Sequence, residues 1–364
     1  MNERLTLADV HEARYRLAGV IKPTPLEYSR TISELLGSQV FFKMENLQRT
    51  GSFKIRGAYN KLFRLPDASR GVVAASAGNH AQGVALAAAR RGVPATVVMP
   101  CCAPRTKICA TAGYGARVVL AGRDYWDACR TAARIAEDSG ALLVPAFEDP
   151  DVIAGQGTIG FEILERLPDI DAVLVPMGGG GLISGVGLVI KTLKPGTRVI
   201  GVAARAAPAL FLSRRAGVLR EIPVLPTLAD GIAVKRPGKL NFRYIQEFVD
   251  DIVLVDEPEI AQAILLILSR AKVVVEGAGA VGLAALLAGR VNLHGRKVAV
   301  VLSGGNIDAA AIAGVALKGK KLLTRQDIGA WRRKKASGCF QAPGSGTRTG
   351  FSAILEGGEQ CGGH

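Results

Sequence analysis

The stretch "AVLVPMGGGGLISGVGLVIKTL", residues 172–193, contains the unit from which the fold is read. Its first six residues form a short apolar run without polar alternation, which predicts a strand buried on both faces. Residues 182–193 predict a helix, and Gly178, Gly179, Gly180 and Gly181 stand between the two. A tight turn needs one or two glycines. Four in succession after a strand are better explained by an anion, because bare backbone approaches it closely and several N–H groups aim at it. The dipole of the following helix adds partial positive charge. The run fails G-x-G-x-x-G, whose next position falls on Ile183 or Ser184, and it lacks the Lys-Ser/Thr of a P-loop. The phosphate it suits need not belong to a nucleotide.

The same alternation runs outward in both directions. From Gly71 the chain reads strand 71–76, helix 79–92, strand 95–100, helix 104–113, strand 116–122, helix 123–140 and strand 141–145. A second series has helix 152–167, the quoted unit, strand 198–204, strand 251–255, helix 257–271, helix 279–289, strand 297–303 and a last helix from Ile307. Strands separated by helices imply an α/β fold with parallel sheets and right-handed crossovers. Ligands of such sheets sit beyond the carboxyl ends of strands, which singles out loops 76–80, 177–181 and 303–306.

A chain of 364 residues is comfortable as two domains, and 49% apolar with only 5% aromatic residues suits buried parallel strands. The net charge of +15 includes +6 from residues 315–364, and the rest is spread without a basic-aromatic stripe. That excludes a nucleic-acid partner and favours anionic small ligands. Cysteines 101, 102, 109, 129, 339 and 361 form no C-x-x-C pair and stand at no zinc spacing, so they read as buried or incidental thiols in a reducing compartment. The first seventeen residues are a charged amphipathic helix rather than a signal peptide, and no stretch has the length and apolarity of a membrane span. A cytoplasmic protein is expected. Residues 336–364 hold eight glycines and no periodicity, which reads as poorly ordered.

Three further motifs carry chemistry. "ASAGNH", 75–80, is a strand-to-helix turn in which Ser76, Gly78 and the amides opening the next helix suit a carboxylate. The plainer reading is a helix cap by Ser76 or Asn79. A rival takes residues 74–78 as a near miss of the G-x-S-x-G nucleophile elbow, making Ser76 an esterase nucleophile. Only His80, His294 and His364 lie downstream to serve it. "VLSGGN" places Ser303 after a buried strand, where a hydroxyl can face a ring nitrogen without forcing charge on it. "VVVEGAGA" ends an apolar run on Glu276, whose plain reading is a helix N-terminus. Lys54, in "GSFKIRGA", opens a helical run. Beside an anion loop, a carboxylate turn and a hydroxyl for a ring nitrogen, it has one economical role. It forms a Schiff base with an aldehyde cofactor that carries a phosphate.

On these motifs the chain resembles the fold-type II pyridoxal-phosphate enzymes, and among them the threonine/serine dehydratases (threonine ammonia-lyases). The resemblance covers residues 5–315, through "GSFKIRGA", "SAGNHAQG", "AGQGTI", "GGGGLISG", "LADGIAV", "EGAGA" and "SGGN" in family order. It implies two open parallel-sheet domains of the tryptophan synthase β-like architecture: a large cofactor-binding domain of residues 1–49 and 151–318, a small domain of 50–150, and an irregular tail at 319–364. It implies pyridoxal 5'-phosphate linked to Lys54, with Phe53 against it, its phosphate on Gly178, Gly179, Gly180 and Gly181, Asn79 on the 3-oxygen and Ser303 facing the pyridine nitrogen. Ser76, Gly78, Asn79 and His80 would take the carboxylate of an amino-acid substrate. The implied reaction deaminates L-threonine to 2-oxobutanoate and also L-serine to pyruvate, in a homodimer or homotetramer.

The departures bear on the rivals. Serine racemases of this family carry a second serine in the "SSGNH" turn, where this chain has Ala77. Relatives that bind a divalent cation use a glutamate after the strand that here reads "GVAARAAPA", so no metal is expected. The residues after 315 are too few and irregular for a regular regulatory module. Racemisation or β-replacement on the same scaffold, the Ser76 esterase, and an amino-acid sensor that has kept the fold are the alternatives. An intact Lys54 argues against the sensor.

Overall fold

The computed structural model describes residues 4–65 and 67–318, and the expectation for 319–364 lies outside them. Among the described residues ten strands form two sheets. The larger joins β1 (Leu26–Tyr28), β2 (Gln39–Lys43), β7 (Ala172–Pro176), β8 (Arg198–Ala204), β9 (Asp251–Val255) and β10 (Lys297–Val301) in the order β1-β2-β10-β7-β8-β9. All its pairs are parallel except β1 with β2. The smaller joins β3 (Val72–Ala75), β4 (Ala95–Met99), β5 (Arg117–Leu120) and β6 (Leu142–Leu143) in the order β5-β4-β3-β6, all parallel. Val173, Leu174 and Val175 are completely buried, as a central strand with helices on both faces requires.

The structure departs from the sequence reading in particular places. β1 and β2 lie before Gly71, in a segment too short in apolar runs to announce strands. β2 is completed by pairing with β10 from the far end of the chain, Val40 opposite Val298. The helix expected over 257–271 is α-helical over Glu257–Leu266 and widens to a π-helix over Ile267–Ala271. It stops at Lys272, whose φ of 60° is left-handed. Of the two alternatives left for the cysteines, Cys101, Cys102 and Cys109 are not the buried kind: they are exposed, in the turn after β4 and on the outer side of a surface helix. No helix among the described residues is long and apolar enough to cross a membrane.

Helix Lys54–Arg64 is held by small residues on both sides. A Cβ on Gly57 would come within 2.4 Å of Gln156 Nε2 and 2.7 Å of the Val152 carbonyl, and one on Gly155 within 2.5 Å of the Arg56 carbonyl. Across the other side, a Cβ on Gly83 would meet the Lys54 carbonyl carbon at 3.1 Å. Gly185 approaches the Ile153 carbonyl just as closely, at 2.4 Å from a built Cβ. The glycines of "AGQGTI" and "HAQG" are therefore contact points where helix backbones meet, and they fix the position of Lys54.

Beneath that helix lies a buried charge cluster. Arg56 is 0% exposed and donates from Nε and Nη2 to the two carboxylate oxygens of Glu45, both at 2.8 Å. It also reaches Glu162 at 2.6 and 2.9 Å and Thr158 Oγ1 at 3.0 Å. Lys43 completes a balanced set of two cations and two anions through Glu162 and the Thr24 carbonyl. Burial works against the guanidinium charge, but Glu45 and Glu162 outweigh it and hold Arg56 more basic than usual.

Candidate active site

The carboxyl ends of β3, β7 and β10 open on one cavity of about 660 Å³. Phe53, Lys54, Ser76, Gly78, Asn79, His80, Gly178, Gly179, Gly180, Gly181 and Ser303 all line it, with Ala77 and Glu276. Residues far apart in the chain thus converge because loops at the carboxyl ends of parallel strands face one side.

Lys54 opens its helix, and its Nζ donates to the Ala146 carbonyl at 2.8 Å. The surface it exposes belongs to the cavity wall, and protein surrounds the amine. This desolvation lowers its pKa to about 8, against the pull of Glu276. Phe53 lies with its ring centroid 5.3 Å from Nζ, and its amide donates to the Ser303 carbonyl at 3.1 Å. That bond ties the residue before the lysine to the loop after β10.

The glycine loop differs in part from its sequence reading. Gly180 requires its positive φ of 95°. The other three are also demanded by packing from behind. A Cβ on Gly178 would come within 2.8 Å of Ile232 Cα, one on Gly179 within 2.5 Å of the Phe147 ring, and one on Gly181 within 2.9 Å of the Phe147 carbonyl. An anion is therefore not the sole reason for the run. The loop still opens the helix Gly181–Leu193 without a side-chain cap, so its first amides remain free for a ligand. Asn241 holds the loop's shape by donating from Nδ2 to the carbonyls of Gly179 at 2.6 Å and Phe147 at 3.1 Å. Neither Phe147 nor Asn241 bore a motif, and nothing short of the fold would have found them.

In the 76–80 turn, Gly78 rather than Ser76 or Asn79 is the cap of helix Asn79–Arg91, and no side chain caps its amides. Ser76 Oγ accepts from the Gly78 amide at 3.2 Å. His80 Nε2 is 3.0 Å from the Val144 carbonyl, which leaves Nδ1 buried without a hydrogen-bond partner. Burial and the nearby Lys54 lower its pKa to about 3, so the ring is neutral. His294 packs beside Gly37, and His364 lies outside the described residues. Among the described residues no histidine hydrogen-bonds Ser76, so the esterase reading has no base.

Glu276 is the N-cap of helix Gly277–Leu287, as its position suggested, but its carboxylate turns into the cavity. It is 4% exposed and accepts from Asn79 Nδ2 at 2.7 Å. Burial and Asp230 raise its pKa to about 7. At the mouth, Lys107 and Asp230 pair at 2.8 Å across the cleft.

A part-buried lysine of lowered pKa, a backbone cradle at a helix N-terminus and a hydroxyl at a third strand end define a site for covalent cofactor chemistry. Residues 17–304 match the family described as pyridoxal-phosphate dependent enzyme, and the chain belongs to that family. It is 54% identical to the L-threonine ammonia-lyase of Thermotoga maritima over 86% of this chain and 79% of that one. It is 48% identical to the catabolic L-threonine dehydratase TdcB of Escherichia coli K12, over 85% of this chain and 95% of the other. Among solved structures, maize serine racemase superposes with a TM-score of 0.83 at 36% identity, covering 88% of this chain and 99% of that one. The T.th. threonine deaminase does so at 0.79 and 42%, covering 83% and 99%.

The residues present fit pyridoxal 5'-phosphate. The donor set offers one amine for its aldehyde and uncapped amides for its phosphate. Ser303, 3% exposed and facing the cavity, offers a hydroxyl rather than a carboxylate to the ring nitrogen.

Proposed function

We propose that this chain deaminates L-threonine to 2-oxobutanoate and ammonia, and L-serine to pyruvate and ammonia. The observation that carries the reading is Lys54, an amine with a pKa of about 8 on the wall of the cavity shared by the glycine loop. Such a group is partly neutral near physiological pH and so serves as a base. The bound cofactor supplies an electron sink that makes the α-hydrogen of the amino acid acidic. Lys54 removes that proton. Ser76, Gly78, Asn79, His80 and the free amides of helix Asn79–Arg91 orient the substrate carboxylate, and Gly178, Gly179, Gly180 and Gly181 hold the cofactor phosphate. Asn79 would also donate to the 3-oxygen, Phe53 would lie beside the ring and Ser303 would offer its hydroxyl to the ring nitrogen. The β-hydroxyl leaves as water, and the released enamine takes up one water and loses ammonia, so net water is zero. Measuring 2-oxo acid release from L-threonine, L-serine and their D-isomers tests the assignment. No release from either L-isomer would sink it.

Racemisation is the second reading, since serine racemases superpose as well as threonine deaminases do. Racemisation needs proton donors on both faces of a planar carbon. Ala77 lines the cavity with a methyl group, which transfers no proton. The unmutated enzyme is expected to make negligible D-serine from L-serine. Ala77→Ser should gain slow racemisation while keeping most deamination. Chiral analysis of the serine pool decides it, and appreciable D-serine from the unmutated enzyme would place racemisation first.

Ser303→Asp should slow elimination, because a carboxylate favours a protonated pyridine and lets charge accumulate in the ring. A new long-wavelength absorbance should appear on adding L-serine. Unchanged spectra and rates would mean that Ser303 does not face the ring nitrogen.

A further inference from the structure

Asn79 sits in a hydrogen-bonded chain whose direction is set from one end. Glu276 Oε1 accepts from Asn79 Nδ2 at 2.7 Å, and Asn79 Oδ1 accepts from Asn306 Nδ2 at 2.7 Å. Asn306 Nδ2 also donates to the Thr50 carbonyl at 2.8 Å. The Thr50 carbonyl can only accept, which fixes the Asn306 amide and, through it, turns the Asn79 oxygen towards Asn306 and the Asn79 nitrogen towards Glu276, which accepts there when ionised. Two glycines make room for the chain. A Cβ on Gly304 would lie 2.3 Å from Glu276 Oε1 and 3.1 Å from Asn79 Nδ2, and one on Gly51, at φ +70°, 2.4 Å from Asn306 Oδ1. The three side chains come from three segments: the start of helix Asn79–Arg91, the cap of helix Gly277–Leu287 and the loop after β10. Asn79 Nδ2 carries two hydrogens, and one is committed to Glu276.

We propose that Glu276 and Asn306 are positioning residues that clamp the Asn79 amide from opposite sides, so that its second N–H is presented to the 3-oxygen of the bound cofactor. The inference rests on the reading that Asn79 contacts that oxygen. Locking an amide before the ligand arrives removes an ordering cost that binding would otherwise bear. Neither clamp residue needs to touch the cofactor.

The test is a double-mutant cycle read by pyridoxal phosphate affinity and by the absorbance of the bound cofactor, not by turnover. Asn79→Ala should weaken affinity by about tenfold, the scale of one hydrogen bond to a polar ring oxygen. Asn306→Ala and Glu276→Ala should each weaken it several-fold and shift the absorbance in the same direction. In the Asn79→Ala background both should have almost no further effect, because the group they position is gone. Glu276→Gln retains an oxygen that accepts from Asn79 and should recover most of the affinity. It also serves if Glu276→Ala fails to fold. Additive losses in the Asn79→Ala background would overturn the clamp while leaving the Asn79 contact standing. An Asn79→Ala protein of unchanged affinity and absorbance would instead overturn the contact and the clamp with it.

Discussion

Lys54→Ala is expected to abolish steady-state release of 2-oxo acid from L-threonine, while the protein without cofactor melts no lower than the unmutated chain at pH 7. The first half follows from the loss of the amine that the proposed function makes both tether and base. Retention of near-native turnover would end the assignment. The second half follows from the lowered pKa. A lysine whose value falls from 10.5 to about 8 on folding weakens the fold wherever the unfolded side chain is charged. That cost is full below about pH 8 and fades as pH rises towards 10.5. It amounts to roughly 3 kcal/mol. Against its removal stands the lost bond to the Ala146 carbonyl, about 1 kcal/mol. The advantage of the variant should therefore shrink between pH 8 and 10.5, and thermal melts of cofactor-free protein across that range measure it. A variant that melts well below the parent at pH 7 would show that Lys54 contributes packing the cavity conceals.

Arg56→Leu should produce the largest loss of stability of any change considered, roughly 3–5 kcal/mol, because it removes one partner from a buried set. Glu45, completely buried, would keep the Thr24 hydroxyl as a donor and, as its nearest cation, Lys43, whose Nζ is 3.9 Å away. For a chain of this size the melting temperature should fall by roughly 5 °C. Glu162→Gln should cost less, since its side chain retains 21% exposure and water can serve the remaining groups. Burial opposes the Glu45 carboxylate, but Arg56 and Lys43 hold its pKa below the ordinary 4.5. The stability contributed by that lowered pKa is present above 4.5 and is lost as pH falls through the folded value. The gap between parent and variant should therefore narrow in acid. A variant that melts like its parent at neutral pH would mean that the cluster relaxes without Arg56. Arg56 lies two residues beyond Lys54 on the same helix, so a loss of cofactor affinity in the surviving variant would link the cluster to the site.

Much of the site was legible before the fold, and the reason is local. Strand-to-helix loops such as 76–80 and 177–181 carry glycines, hydroxyls and amides in short runs, and the backbone amides they expose follow from the elements on either side. Lys54 stood out by the motifs it accompanied. Glu276 shows where that legibility stops. Its place at a helix start was readable, but whether its carboxylate met solvent or Asn79 depended on a residue 197 positions away. Asn241 and Phe147 shape the glycine loop through contacts with no sequence spacing to reveal them.

By itself, then, the sequence determined the alternation of buried strands and helices, the loops that line the cavity, the lysine and the methyl group of Ala77. Periodicity and backbone chemistry are properties of a few neighbouring residues, and they are already present in the chain. Only the tertiary structure decided that β2 joins β10, that Arg56 is an interior charge matched by Glu45 and Glu162, and that Asn306, Asn79 and Glu276 form one hydrogen-bonded line. Each of these depends on distance and burial between remote segments. Those same quantities set the pKa of Lys54 and the direction of the Asn79 amide.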